Sequence, residues 1–433
     1  MTTQIYRTSD VFVAGGMPRL TYIPRAPRNL EERLRSAKDN LCKLVTVTGS
    51  TKSGKTVLVK KVFPSEDSIW IDGGTVKFED DLWNYVLQGL AGQTEISLAE
   101  SKGNSSSFEG RLEGEVELPL WKIFKAKGTG NLGSKHTSTK ETTKSTSLSL
   151  TPRSAAISQL RSAKQPLVID DFHYLQRDFQ GNVIRALKPL IFDGIPVILI
   201  AIPHRRYDAV KVEREMTGRL EQINIPMWEA DELFEIAKQG FPLLNLKVNT
   251  NVLNKLANEA YGSPHLMQEF CRKLSEFHNV SETLSNELFI FDVDSELFKT
   301  VAEGTGKIMF DKLSKGPRQR ADRVQRKLKS GEKVDIYKAT LYALVEVSPG
   351  LETIEYEQLR SAMRKVLSDK IPQAGEITRV LEKMAEIAAT DEASTPVLDW
   401  EKEERKLHIT DPFFAFYLKW GVKFEQTLEN VIE

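Results

Sequence analysis

The sequence predicts an α/β fold: a parallel sheet carrying a phosphate-binding loop, with a helical lid, an inserted β-hairpin and a C-terminal winged-helix domain. Three observations carry this reading. The stretch LVTVTGSTKSGKT, Leu44 to Thr56, reads as a buried strand, a glycine loop and the start of a helix. Apolar runs in SIWIDGG, LVIDD and VILIAIP alternate with helical patterns, which calls for crossover connections and a sheet covered on both faces. From Val334 onward three helical patterns precede a hairpin, the order of a winged helix.

Composition sets the bounds. The 433 residues suffice for two or three domains. Formal net charge is zero, so nucleic acid is not held by the chain as a whole and any such contact is local. Two cysteines, Cys42 and Cys271, are too few for a disulfide framework and fit a reducing compartment. The N-terminus lacks a basic-then-apolar signal, and no apolar run reaches the ~18 residues of a membrane span. The expectation is a soluble, cytoplasmic protein without a membrane partner.

Residues 1–40 form a lead-in. VFVAGG (11–16) fits a short strand or an extended arm, and TYIPRAPRNLEERL passes from a proline loop into a helix at about Leu30. Arg25 and Glu31 either contact a base or simply begin that helix. The core, 41–228, continues with a helix from Gly54 to about Val62, the strand SIWIDGG, and EDDLWNYVLQGLAG, a helix with an acidic first turn closed by glycine. Residues from about 100 to 150 alternate like a long inserted hairpin; from 121 to 150 six lysines face one acid, Glu141. That is a solvated insertion or a contact surface for nucleic acid or a neighbouring subunit. Helices at about 153–164 and 181–190 flank LVIDD, and RLEQINIPMW reads as the last strand.

Three amphipathic helices make a lid at 229–280. The connecting segment 281–333 ends in a run from Asp311 to Lys333 with nine basic and three acidic residues, a linker, an exposed helix or a phosphate contact. Residues 334–433 hold 12 basic and 19 acidic side chains, so the winged-helix domain suits packing or regulation better than DNA reading.

The loop gives the chemistry. Gly49 permits the turn, Gly54 a close backbone approach, and the stretch Gly49, Ser50, Thr51, Lys52, Ser53, Gly54, Lys55, Thr56 and Val57 would wrap a phosphate chain at a helix N-terminus. Lys55 supplies charge to the β- and γ-phosphates, and the Thr56 hydroxyl is placed to ligate Mg²⁺. Asp170, ending an apolar strand, is suited to orient Mg²⁺, and Asp171 to polarise the attacking water. His173 is a supporting partner or a loop end. His204, Arg205 and Arg206 lie where a γ-phosphate is sensed or on plain surface. Arg219, and less so Arg214, would reach a neighbouring subunit's nucleotide or form surface contacts. No metal-ligand spacing of Cys and His and no G-x-S-x-G occurs, so phosphoanhydride hydrolysis is the reaction this sequence supports.

GSTKSGKT, LVIDDFHYL and VILIAIP together resemble the AAA+/STAND branch of P-loop ATPases, including its ORC/Cdc6-like members. The resemblance covers roughly residues 10–280. It implies ATP and Mg²⁺ as cofactors, a lead-in that holds adenine near Arg25, an Arg219 finger, and oligomerisation. AYGSPHLMQEFCRKL resembles the lid segment that brings Gly262 and Pro264 to the nucleotide, with His265 where a lid meets phosphate. Three departures stand out: Asp171 replaces the common Glu, no arginine follows Gly262 at the usual place (Arg272 is nearest), and the insertion exceeds a minimal core. They favour a slow ATP-gated switch, in regulation or cell defence and with a protein partner. The alternative is an ORC/Cdc6-like ATPase that loads or remodels on DNA through the 312–333 run or the 121–150 lysines.

Overall fold

The computed structural model describes residues 4–39, 42–103, 151–202, 216, 218–317, 323–347, 353–389 and 396–422. Apart from 100–103, the expected hairpin lies outside them, as do His204, Arg205, Arg206 and Arg214.

Strands β1 (Leu44–Thr48), β2 (Ile69–Asp72), β3 (Leu167–Asp170), β4 (Val197–Ala201) and β5 (Leu220–Asn224) form one parallel sheet in the order β2-β3-β4-β1-β5. Alternate residues enter opposite cores, as the pleat requires. Leu44, Ile69, Ile71, Leu167, Ile169, Val197 and Leu199 face one core, which takes in residues of the Glu79–Gly103, Pro152–Ala163 and Arg177–Phe192 helices. Val45, Val47, Val168, Ile198, Ile200 and Ile223 face the other, with the Leu30–Arg35 and Lys55–Val62 helices. Because every strand runs the same way, the loop after β1 and the carboxylate ending β3 emerge at one edge.

A third apolar cluster is continuous from Val11 and Phe12 through the helices Ala230–Gly240, Thr250–Glu259 and Pro264–Phe277 to Val422. In its C-terminal part the helix Ile336–Glu346, strand β10 (Thr353–Glu355), helices Tyr356–Val366 and Ala374–Ala388, and strands β11 (Leu398–Glu401) and β12 (Lys406–Ile409) follow one another, and the strands pair antiparallel as β10-β12-β11. The helix Pro412–Tyr417 comes next, prolonged by a π-turn to Val422.

Four local expectations are corrected. VFVAGG is neither strand nor arm: Thr8–Val11 is a helical turn, and Val11 and Phe12 are both buried in the lid core, so the two do not alternate. The Glu79 helix does not stop at Gly92 but runs to Gly103. A Cβ at Gly89 would lie 3.2 Å from Ile69, so that glycine allows helix and sheet to approach and does not cap. The three helical patterns after Val334 do not run on without a strand: Thr353–Glu355 forms β10 ahead of the second. The basic run is no plain linker: β8 (Arg326–Lys327) and β9 (Lys333–Val334) pair antiparallel, Arg323 meets Asp335 at 2.6 Å, and Arg326 meets Glu376 at 3.3 Å.

Phe12 fastens the lead-in to the lid. Its ring sits where a Cβ on Gly240 would be, 2.3 Å away, and packs edge-on to Phe241 with centroids 4.9 Å apart. Helix propensity alone makes Gly240→Ala stabilising by about 1 kcal/mol. The clash reverses the sign, and a loss of about 1–3 kcal/mol is expected in denaturant unfolding; an unchanged or raised midpoint would show that Phe12 is not held there.

Candidate functional site

The glycine loop joins the fully buried strand β1 to the Lys55–Val62 helix. Gly54 has φ +91°, and a Cβ at Gly49 would come within 2.9 Å of the Ile225 carbonyl oxygen, so both glycines are required by geometry. The Lys55 ammonium is buried and donates to the Gly49 and Ser50 carbonyls at 3.0 and 2.7 Å. Burial pushes its pKa down to about 8 against the opposing pull of Asp171 and Asp170. The Thr51 and Ser53 hydroxyl oxygens are buried without a hydrogen-bond partner. A buried cation beside unanswered hydroxyls and a helix N-terminus fits a phosphate chain.

The carboxylates lie across from the loop. The Thr56 hydroxyl donates to Asp170 Oδ2 at 2.8 Å, and the Asp171 amide to Asp170 Oδ1 at 2.9 Å. Burial raises the Asp170 pKa despite those bonds. Asp171, held at φ +49°, is pushed up to about 6 by burial and then by Asp170. His173, whose ring is buried, stands 4.0 Å from Asp171. Asp72 pairs in register with Asp170, and Gly73 packs so closely that a Cβ would lie 2.5 Å from the Asp171 carbonyl oxygen. Among the described residues no three His, Cys, Asp or Glu side chains are arranged to hold a metal. A Mg²⁺ held by Thr56, by Asp170 and mostly by phosphate and water suits that arrangement.

A cavity of about 430 Å³ continues from the loop between the lead-in and the lid. Val13, Met17, Ile23, Trp228 and Gln268 line it, together with Thr51–Val57, Asp171, Pro264 and His265. None of those first five was singled out by itself from sequence, although Ile23 lies in the lead-in TYIPRAPRNLEERL and Gln268 in the lid segment AYGSPHLMQEFCRKL. Arg25 reaches the cavity, yet its guanidinium is engaged elsewhere: it donates to the Pro226 and Met227 carbonyls, pairs with Glu232 at 2.8 Å and lies 4.7 Å over the Trp228 ring. Trp228 in turn donates its ring N–H to the Ser53 carbonyl at 2.9 Å. Arg25 therefore fastens the lead-in to the lid, and the base would meet mainly apolar walls. Glu31 accepts from the Tyr22 hydroxyl at 2.8 Å.

The remaining candidates divide. Pro264 opens the lid helix, 3.9 Å from a Cβ built on Gly54. His265 is pushed down to about 4 by burial and then by Lys52, so it carries no charge for a phosphate at neutral pH. Its ring stands edge-on to Phe413, centroids 4.9 Å apart. A Cβ at Gly262, φ +67°, would meet Met227 at 2.8 Å. Arg272 is engaged with Glu269 and Glu276 at 2.7 and 3.3 Å. Arg219 is exposed one residue before β5, its carbonyl accepting the Leu44 amide at 2.8 Å and its guanidinium 5.8 Å over the Phe192 ring. It lies a full strand, roughly 16 Å, from this chain's own loop.

No family model matches the chain, and no curated protein matches it in sequence. Solved structures do. A Walker-type ATPase of Pyrococcus abyssi superposes over 94% of this chain and 99% of its own with a TM-score of 0.54 and 14% identity. Cdc6p of Pyrobaculum aerophilum matches at 12% identity over 96% of this chain and 98% of its own, TM-score 0.41. A STAND protein of Pyrococcus horikoshii with a tetratricopeptide repeat sensor matches at 16% identity over 92% of this chain and 42% of its own, TM-score 0.36. The first shows that this chain shares its fold; the other two scores are too low to add to that.

Lys55 gives the site a pH signature. The empty loop loses its ammonium charge above about pH 8, whereas bound phosphates would hold the proton on. The Kd of a non-hydrolysable ATP analogue should therefore rise as pH passes upward through 8, and Lys55→Met should bind weakly with little pH dependence. A flat wild-type profile between pH 7 and 9.5 contradicts this.

Proposed function

We propose that this chain, with its P-loop ATPase fold, is an ATP-binding, Mg²⁺-dependent ATPase that works as a slow, oligomerising molecular switch. The observation that carries the hydrolytic part is the convergence of two separate segments at one cavity end, Lys55 and Thr56 from the loop and Asp171 from the end of β3, with Asp170 bonded to Thr56. The loop amides and Lys55 hold the phosphates. Asp170 fixes the Thr56 hydroxyl, and those two would hold the metal. Bound Mg²⁺ would neutralise charge on the β- and γ-phosphate oxygens. Asp171 is the base that orients water: its pKa near 6 lets it accept a proton at neutral pH while remaining ionised.

The switch reading rests on a contact from the phosphate loop to the C-terminal elements, read here as a winged-helix domain. Lys52, at φ +60°, extends its ammonium to Asp411 Oδ2 at 2.6 Å and over the Phe413 ring at 4.2 Å. Asp411 also accepts the Phe413 and Phe414 amides, capping the Pro412–Tyr417 helix. A change in the loop on nucleotide binding would pull on that helix, giving the two states differential contacts. Arg323 and Arg326 of the basic run are engaged with carboxylates, which supports the switch over the DNA-loading alternative. Arg219, remote from its own site and exposed, would complete a neighbour's.

Asp171→Asn should lower kcat at least 100-fold while ATP binding persists, and wild-type kcat/KM should fall as pH drops through 6. Retained turnover in that variant would remove Asp171 as the base, and absence of turnover in both wild type and variant would mark a chain that holds ATP structurally. Asp411→Asn keeps the cap but removes the charge facing Lys52. It should speed turnover several-fold and let ATP enlarge the particle in light scattering at lower concentration; no change in either would remove the C-terminal elements from the switch.

A further inference from the structure

One wall of the cavity carries an amide held at both ends. Gln268 stands on the helix Pro264–Phe277, which lies in the chain between strand β6 (Leu246–Val248) and its parallel partner β7 (Leu288–Ile290). It comes four residues after Pro264, so it shares that residue's face of the helix, one turn or about 5 Å along from the contact with Gly54. The side chain is 3% exposed and lines the cavity. Its Oε1 accepts the Val13 amide at 3.1 Å, and its Nε2 donates to Thr21 Oγ1 at 2.8 Å. Thr21, itself buried, donates its hydroxyl to the Val11 carbonyl at 2.8 Å.

These bonds fix which end of the amide is which. A threonine hydroxyl has one proton, and Thr21 gives it to Val11, so toward Gln268 it only accepts. The Val13 N–H only donates. Turned over, the amide would set its oxygen against a hydroxyl whose proton is committed and its NH₂ against another N–H, leaving buried polar groups unpaired. In the orientation that remains, Gln268 keeps one N–H and one oxygen lone pair. Other polar groups on the same cavity are engaged: Tyr22 with Glu31, Arg25 with Glu232, and the Trp228 ring N–H with the Ser53 carbonyl. Val13, Met17, Ile23 and Ile236 add apolar lining.

Building on the nucleotide reading above, we propose that Gln268 selects adenine over guanine as the base of the bound triphosphate, and that Thr21 and the Val13 amide are positioning groups that hold its amide in one orientation. Adenine sets an amine donor beside a ring-nitrogen acceptor, the complement of the lone pair and N–H that Gln268 keeps. Guanine reverses this order, with a carbonyl in place of the amine and a ring N–H in place of the acceptor. An amide free to turn would pair with either base. A fixed one, facing a base whose pose is set by phosphates in the loop, puts oxygen against oxygen and N–H against N–H when the base is guanine. Guanine also brings a further amine into mainly apolar walls, where leaving it unpaired is costly.

The test measures Kd for the non-hydrolysable imido analogues of ATP and GTP on the full chain with Mg²⁺, and takes their ratio within each variant, so that a general loosening of the fold weakens both and cancels. Wild type should prefer the ATP analogue about 10- to 100-fold. Gln268→Glu is nearly isosteric but offers an acceptor in place of the N–H, which suits guanine's N–H groups; the ratio should fall about tenfold or more. Thr21→Val keeps the shape and removes the hydroxyl that accepts from Nε2; the ratio should narrow several-fold, and Thr21→Ser should restore it. Equal binding of the two analogues by wild type, or a ratio unmoved in Gln268→Glu or in Thr21→Val, overturns the proposal and leaves the phosphate loop's role standing. Tripolyphosphate, which has no base, separates the two failures: if neither it nor either analogue binds wild type, the nucleotide reading falls and the base selection with it.

Discussion

The site depends on a cation held where water cannot reach it. Lys55 is buried at the end of a buried strand, and its neighbours there are its own loop's carbonyls. Burying an ammonium this way is unfavourable unless an anion arrives, and the pKa near 8 is the direct sign of that cost. The two glycines follow from the same constraint. The backbone must fold tightly enough for Lys55 to reach Gly49 and Ser50, which sets Gly54 at φ +91° and presses Gly49 against Ile225. An anion arriving at this loop would offset the cost of burying the charge.

What surrounds this charge comes from distant parts of the chain. The Arg25–Trp228–Ser53 chain of contacts links lead-in, lid and loop, and Phe12 docking on Gly240 holds the lead-in in place. On the other side Lys52 ties the loop to Asp411, 359 residues away in sequence. The lid and the C-terminal elements share one apolar cluster.

The legible parts of the sequence were those governed by local geometry. Strands β1 to β5 stand where the apolar runs placed them, and the loop from Gly49 to Thr56 needed only the spacing of its glycines. Boundaries failed where a neighbour decided. Gly89 and Gly92 look like helix ends, yet the helix continues because Gly89 serves contact with Ile69. VFVAGG has strand composition, yet Val11 and Phe12 are needed in the lid core. The basic run looked free because the carboxylates that face it, Asp335 and Glu376, lie outside it.

The sequence by itself determined the phosphate loop, the strand carrying Asp170 and Asp171, and the alternation that forces a parallel sheet, because each follows from residue types within a few positions. Only the tertiary structure decided which groups share a site. It engaged Arg25 with Glu232, kept His265 uncharged, set Arg219 a strand's length from its own loop and turned Lys52 toward Asp411. These are questions of desolvation and of through-space partners, and both depend on chain segments that come together only when the protein folds.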